Sequence, residues 1–144
     1  MASRKISDLV PEMQEKFKEF AVRMAEERIP FLLTCTFRTQ DEQNHLWARG
    51  RTIPNTRKVT WTRHSRHTDR EAFDIAIVMN GRPTWDLKVN VNNDTVGDYF
   101  EAGEIGERCG LVWGGRFKSP DYCHFELPRK KEPISYDVTN QSER

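Results

Sequence analysis

Ala72-Phe73-Asp74-Ile75-Ala76-Ile77-Val78-Met79 decides how this chain is read. Its length and its apolar, partly β-branched content predict a buried strand. Period two puts Phe73, Ile75 and Ile77 on one face and Asp74, Ala76 and Val78 on the other. A carboxylate inside such a strand is costly to bury unless a cation or a metal meets it. Asn80-Gly81 ends the run as a turn.

Upstream, Phe31 to Arg38 also alternates, with Leu33, Cys35 and Phe37 on one face and Thr34, Thr36 and Arg38 on the other. That predicts a half-buried strand delivering Arg38 to the polar face at its end, with Cys35 as a small buried hydrophobe. Pro11 and Glu12 suit a helix start, and Met13, Phe17, Phe20, Ala21 and Met24 recur at helical spacing, so a helix is expected from about 11 to 27. Thr39-Gln40-Asp41-Glu42 is a capping box opening a second helix, with Gly50 as its stop. Residues 51–71 are polar and without period, a length of loop that is usually functional or mobile in a compact domain. A third helix is expected from about 95 to 109, stopped by Gly110. Short strands at 111–113 and 122–127 flank the Gly114-Gly115 turn.

Helices and strands without a regular β-α-β rhythm indicate an α+β fold: a small antiparallel central sheet, about three flanking helices, and the chemistry on a sheet face. Residues 1–128 read as one domain and 129–144 as a charged, polar tail. The net charge of +1, from 23 basic and 22 acidic residues, gives no global field for nucleic acid or membrane. The basic clusters at Arg49/Arg51, Arg63 to Arg70 and Arg129 to Lys131 read as solvated. A nucleic-acid binder using Trp61 and Arg63 to Arg70 is disfavoured by the same charge balance. No apolar run approaches the roughly 20 residues of a membrane span. The N-terminus lacks the apolar core of a signal peptide. The expectation is a monomer with neither nucleic acid nor membrane as partner, made in the cytoplasm without a signal peptide. Three widely spaced cysteines, Cys35, Cys109 and Cys123, form no C-x-x-C and no disulfide framework is expected.

Of four histidines, two sit in polar patterns that also hold carboxylates: Ser65 to Asp74 around His67, and Asp121 to Glu126 around His124. His67 precedes Asp74 by a loop's length and can fold back beside it. His124, on another expected strand, can meet the same point. Two neutral imidazoles and one carboxylate suit zinc and leave a fourth position open, as catalytic sites do. A salt bridge from Asp74 to an arginine is the plainer alternative. Asp121, three residues before His124, could serve as a base beside such a metal or simply as a turn residue. Glu126 shares a face with His124 and reads more simply as a surface residue. No H-E-x-x-H occurs, so a helical zincin is not indicated.

Together, Ser65-x-His67, Ala72-x-Asp74 and Asp121-x-x-His124-Phe125-Glu126 resemble the M15 metallopeptidases. So do Thr34 to Gln43, Leu46 to Thr52, and Gly110 to Gly115. The similarity runs from about Leu9 to Pro128. It implies zinc held by His67, Asp74 and His124, Asp121 as general base, and Arg38 binding substrate and the developing oxyanion. Ser65 and Gln43 fall at motif positions that support ligands or substrate. Two departures stand out. Arg70 occupies a position where the family usually has Gly, which takes φ > 0 without strain, so the loop before Asp74 is open to rebuilding. Cys123 stands where Pro is frequent, with a side chain expected to point away from the ligand beside it. His45 and His64 are not expected as ligands.

The resemblance implies a zinc peptidase acting on the peptidoglycan stem peptide. An L-alanyl-D-glutamate endopeptidase working as a phage or prophage endolysin, reaching the wall on release in host-cell lysis, is the leading expectation. The alternatives are a D-Ala-D-Ala carboxypeptidase or dipeptidase, and a non-catalytic zinc-containing wall-binding module. Asp121 and Arg38 count against the latter, since a purely structural metal needs neither.

Overall fold

The computed structural model describes residues 2–129, so the expected tail at 129–144 falls, but for its first residue, outside the described residues. Among the described residues three α-helices accompany a five-stranded antiparallel sheet: α1 (Pro11–Glu26), β1 (Phe31–Cys35), α2 (Gln40–Ala48), β2 (Ala72–Met79), β3 (Arg82–Thr84), α3 (Asp98–Arg108), β4 (Val112–Trp113) and β5 (His124–Glu126). The strand order is β1-β2-β5-β4, with β3 also paired to β2. β2 is thus the central strand, as its apolar sequence requires. Among the described residues no helix is long and apolar enough to cross a membrane.

The alternation of β2 sorts its two faces. Phe73, Ile75 and Ile77 enter the core with Met13, Phe17, Phe20 and Met24 of α1. The rings interlock: Phe17 and Phe73 lie 5.1 Å apart edge to face, and Phe20 and Phe125 lie 4.9 Å apart. Each fully buried side chain of this kind contributes roughly 1.5–3 kcal/mol. α3 closes on the same core through Gly106, where a Cβ would stand 2.5 Å from the Phe125 ring. With that face filled, Asp74 is left on the other.

The capping box at Thr39 forms in both directions, Glu42 N donating to Thr39 Oγ1 at 3.1 Å and Thr39 N donating to Glu42 Oε1 at 2.8 Å. α2 ends at Ala48, ahead of the stop expected at Gly50. Gly50 instead has φ +76°, and its amide donates to Thr56 Oγ1 at 2.7 Å as the long loop folds back. β3 was not expected, because three residues containing Pro83 carry little strand signal. Asn80 and Gly81 at φ +54° and +75° form the hairpin that pairs it, a turn for which Asn-Gly is the strongest cue.

Arg70 takes φ +62°, so the loop before Asp74 accommodates a left-handed arginine. The side chain helps hold it there. Its guanidinium lies 3.8 Å from the Phe37 ring centroid, and Nη1 donates to the Asp8 carbonyl at 3.2 Å. The backbone cost of such a residue is about 1–2 kcal/mol. Arg70→Gly should therefore be more stable than Arg70→Ala by about 1 kcal/mol, since both lose the side chain and only Ala keeps the strain. Urea denaturation of the pair measures this. Equal midpoints, or a more stable Ala variant, would show that the backbone carries no strain.

Candidate metal centre

The centre is built on a row across three strands. Asp74 of β2 stands opposite Cys35 on one side and His124 on the other. Residues directly opposite in an antiparallel pair share a face. Simple alternation would leave Cys35 with Leu33 on the core side. The register shifts between them, however: Leu33 pairs with Ile75 and Cys35 with Asp74, so Thr34 is an inserted residue. Such bulges re-aim side chains. Cys35 is buried, as expected of a small hydrophobe, but on the face that carries Asp74 and His124.

His67 arrives from the long loop, in a turn held by its own amide donating to Ser65 Oγ at 3.1 Å. Its Nε2 lies 3.1 Å from Asp74 Oδ1, and His124 Nδ1 lies 3.0 Å from that same oxygen. The far nitrogen of each ring is occupied. His67 Nδ1 is 3.4 Å from both the Thr36 carbonyl and Cys35 Sγ. His124 Nε2 is 2.8 Å from Glu126 Oε1. Carbonyls and carboxylates can only accept, so the Thr36 carbonyl and Glu126 suit a proton on the far nitrogens, while in the metal-free protein Asp74 draws one to the near side. With a cation in place of that proton, His67 Nε2 and His124 Nδ1 would face it as lone pairs, with supports of the kind that fix metal-binding histidines.

Despite its 3.1 Å approach to Asp74, His67 Nε2 is buried without a well-aligned hydrogen bond. A nitrogen in that state has the geometry of a ligand more than of a donor. The electrostatics agree. Burial opposes charge on both rings, yet the Asp74 carboxylate outweighs it and raises the pKa of each. Burial likewise pushes Asp74 up, and the two imidazoles more than offset that and hold it well below the usual carboxylate range. The trio is a place where positive charge is strongly favoured. Cys35 Sγ is near enough to be a further donor, since it, a His67 nitrogen and an Asp74 oxygen lie within 4.8 Å of one another. It meets His67 at Nδ1, however, the nitrogen turned from Asp74, so it supports the ring.

Glu126 and Arg66 depart from the sequence reading. Glu126 is a partner of His124 where a surface residue was expected. Arg66, counted in a solvated run, has a side chain only 12% exposed and lies 3.4 Å from Glu126 Oε2 and 3.0 Å from Glu71 Oε1. Spacing i to i+2 from His124 was the available signal for Glu126. Nothing in the sequence singled out Arg66. His64, by contrast, is exposed and pairs with Asp69 at 2.8 Å.

Asp121, Arg38 and the trio line one cleft of about 920 Å³. Asp121 is exposed, and one of its carboxylate oxygens lies within 4.8 Å of one from Asp74. The Cys123 thiol donates to Asp121 Oδ1 at 3.2 Å. The thiol was expected to point elsewhere, but 122–123 form a turn ahead of β5, where strand alternation does not apply. Burial, aided by the Asp74 and Asp121 charges, pushes that thiol up and keeps it a donor. β1 ends at Cys35, so Arg38 lies past the strand on which it was expected. It still reaches the cleft, with Nη1 donating to Gln43 Oε1 at 2.9 Å and Nη2 lying 3.6 Å from Cys35 Sγ. Gln43 is fully buried and holds the long loop with its amide nitrogen, at 2.8 Å from the Thr62 carbonyl.

The same architecture is found in the crystal structure of the Serratia marcescens L-Ala D-Glu endopeptidase ChiX, with a TM-score of 0.65 over 89% of each chain and 18% identity. A family model described as D-alanyl-D-alanine carboxypeptidase matches residues 58–127, the segment holding all three members of the trio. The peptidoglycan L-alanyl-D-glutamate endopeptidase CwlK of Bacillus subtilis is 32% identical over 125 residues, covering 84% of this chain and 74% of its own length. The chain belongs to the M15 peptidase family. This M15 peptidase is therefore a peptide-bond hydrolase of a metallopeptidase family.

One glycine seats its cleft. A Cβ on Gly114 would fall 2.3 Å from the Asp121 carbonyl oxygen and 3.0 Å from His124 Cβ. Asp121 N donates to the Gly114 carbonyl at 2.8 Å, so the two segments are held at that distance. Gly114→Ala should displace both Asp121 and His124 and lower turnover about 100-fold, the usual cost of a misplacement near 1 Å. Circular dichroism should show the fold retained; turnover near wild type would mean that the loop relaxes freely.

Proposed function

We propose that this M15 peptidase is a zinc-dependent L-alanyl-D-glutamate endopeptidase of peptidoglycan, its catalytic domain spanning residues 1–128. The observation that carries the zinc centre is the convergence of His67 Nε2 and His124 Nδ1 on a single oxygen of Asp74. These three would hold the ion. When bound, it supplies a Lewis acid facing the cleft, able to acidify water toward a pKa near 7. The names of CwlK and ChiX both support the endopeptidase over the carboxypeptidase activity in the family model's description.

The chain's own groups do the rest. Asp121 takes the proton of the attacking water and passes it to the leaving amine. Arg38, braced by Gln43, faces the oxygen on which negative charge develops. Losing such a contact costs about 100–1000-fold in rate. Arg38, Lys118 and Arg129 line the same cleft and suit a substrate that carries carboxylates. Ser65 keeps the His67 turn.

Digestion of purified murein by the zinc-loaded protein, read by mass spectrometry, tests the bond. New N-terminal D-Glu is the expected product. Released D-Ala would replace this reading with the carboxypeptidase, and zinc binding without cleavage would replace it with the wall-binding module. Use as an endolysin is supported by resemblance alone; clearing of permeabilised cells on adding the protein is the expected outcome.

A further inference from the structure

We propose that Trp61 is a stacking platform for the N-acetylmuramyl sugar that bears the stem peptide, so that the cleft reads glycan beside the scissile bond as well as peptide. The proposal rests on the endopeptidase reading above. Trp61 is 67% exposed, and it lines the same cleft as His67, Asp74 and His124. Neighbouring Val59, 51% exposed, extends the apolar surface. Tryptophan is highly buried on average, and this one stands in water on the cleft wall, where it can meet what the cleft holds.

Its mount is fixed, and its exposed ring has the Lys58 ammonium 5.7 Å from its centroid. The carbonyl before it, Thr60, accepts from Arg51 Nη2 at 3.1 Å, and the carbonyl after it, Thr62, accepts from Gln43 Nε2 at 2.8 Å. Arg51 is itself anchored, stacked 3.4 Å from the Trp47 centroid and donating to the Trp47 carbonyl at 2.7 Å. Gln43 also braces Arg38, so the platform and the oxyanion residue hang on one buried amide. A rigid aromatic on a pinned backbone binds with little entropy cost.

Substrate chemistry names the occupant. In peptidoglycan the L-alanine nitrogen is acylated by the lactyl group of muramic acid, and the bond to be cut lies at that alanine's carbonyl. The lactyl unit and the alanine each span about 3.3–3.6 Å, roughly 7 Å together. The sugar is therefore carried into the cleft or its mouth whenever the bond is seated. A pyranose offers an apolar C–H face to an indole while its hydroxyls stay in water. Aromatic contacts of this order are worth up to about tenfold in affinity.

The test compares N-acetylmuramyl-tetrapeptide with the N-acetyl-tetrapeptide lacking the sugar, using zinc-loaded protein. Wild type should favour the sugar-bearing substrate about tenfold in kcat/KM, mainly through KM. Trp61→Ala should bring that ratio close to one, and Trp61→Phe should keep part of it. A ratio that is absent in wild type, or retained in Trp61→Ala, overturns the proposal. A second arm needs no cleavage: the Trp61 indole N–H resonance, assigned by its loss in Trp61→Phe, should shift on adding N-acetylmuramyl-L-alanine, and a static resonance overturns the proposal. If neither tetrapeptide is cut, the endopeptidase reading has failed, and the resonance still decides whether the sugar binds.

Discussion

Asp74→Asn should abolish turnover and weaken zinc binding by well over 100-fold, with the fold intact. Loss of a group that merely supports a ligand costs about 10–100-fold in metal affinity, and Asp74 is the oxygen on which both imidazoles converge. An amide of the same shape brings no charge. The same carboxylate raises both histidines above their ordinary pKa in the metal-free protein. Raised pKa values contribute stability that is fully present below about pH 6.5, the unfolded value, and is lost as pH rises through the folded values. Metal-free wild type should therefore lose stability on raising the pH above 6.5. In Asp74→Asn the Glu126 and Cys35 contacts are left to act against burial, and that loss should shrink. Zinc has to displace those protons, so its affinity for wild type should climb over the same window. Competition titrations with a buffered zinc indicator, and urea melts against pH, measure both. Tight zinc binding by Asp74→Asn would remove Asp74 from the ligand set.

Much of this was legible in the chain, for a physical reason. Periodicity reports which face is buried, and β2 is buried on a face that leaves Asp74 out; a lone carboxylate in an apolar strand was therefore the visible anomaly. The helix start at Thr39 was equally plain, because a capping box is a local device whose partners lie three residues apart. The bulge at Thr34 left no such mark. It depends on how β1 and β2 pair over their whole length, and it moved Cys35 from the expected core face to the side of His67. Arg66 was misjudged as exposed because charge is a poor guide to burial when a partner comes from a distant segment: it meets Glu126, 60 residues away. Glu126 had a partner in His124 only two residues away, and that spacing was outweighed by its charge. Cys123 was misjudged because strand alternation was extended into a turn.

Asp121→Asn should lower kcat by about 100- to 10,000-fold, the range for a lost general base, while zinc affinity and KM stay near wild type. Asn keeps the shape and an oxygen for the Cys123 thiol to reach, so the loop has no cause to move. It cannot accept a proton at neutral pH. The other nearby carboxylates are engaged: Asp74 by two imidazoles, Glu126 by His124 and Arg66. Asp121 is the exposed one, set in the cleft within 4.8 Å of an Asp74 oxygen. The distinction from a structural role lies in how the loss divides. A residue that only shaped the cleft would raise KM when altered, whereas a base lost in the transition state lowers kcat and kcat/KM together. Steady-state kinetics on a stem tetrapeptide, with zinc content measured on the same sample, make the division. A variant with full zinc and wild-type kcat would remove Asp121 as the base and require another group to take the proton.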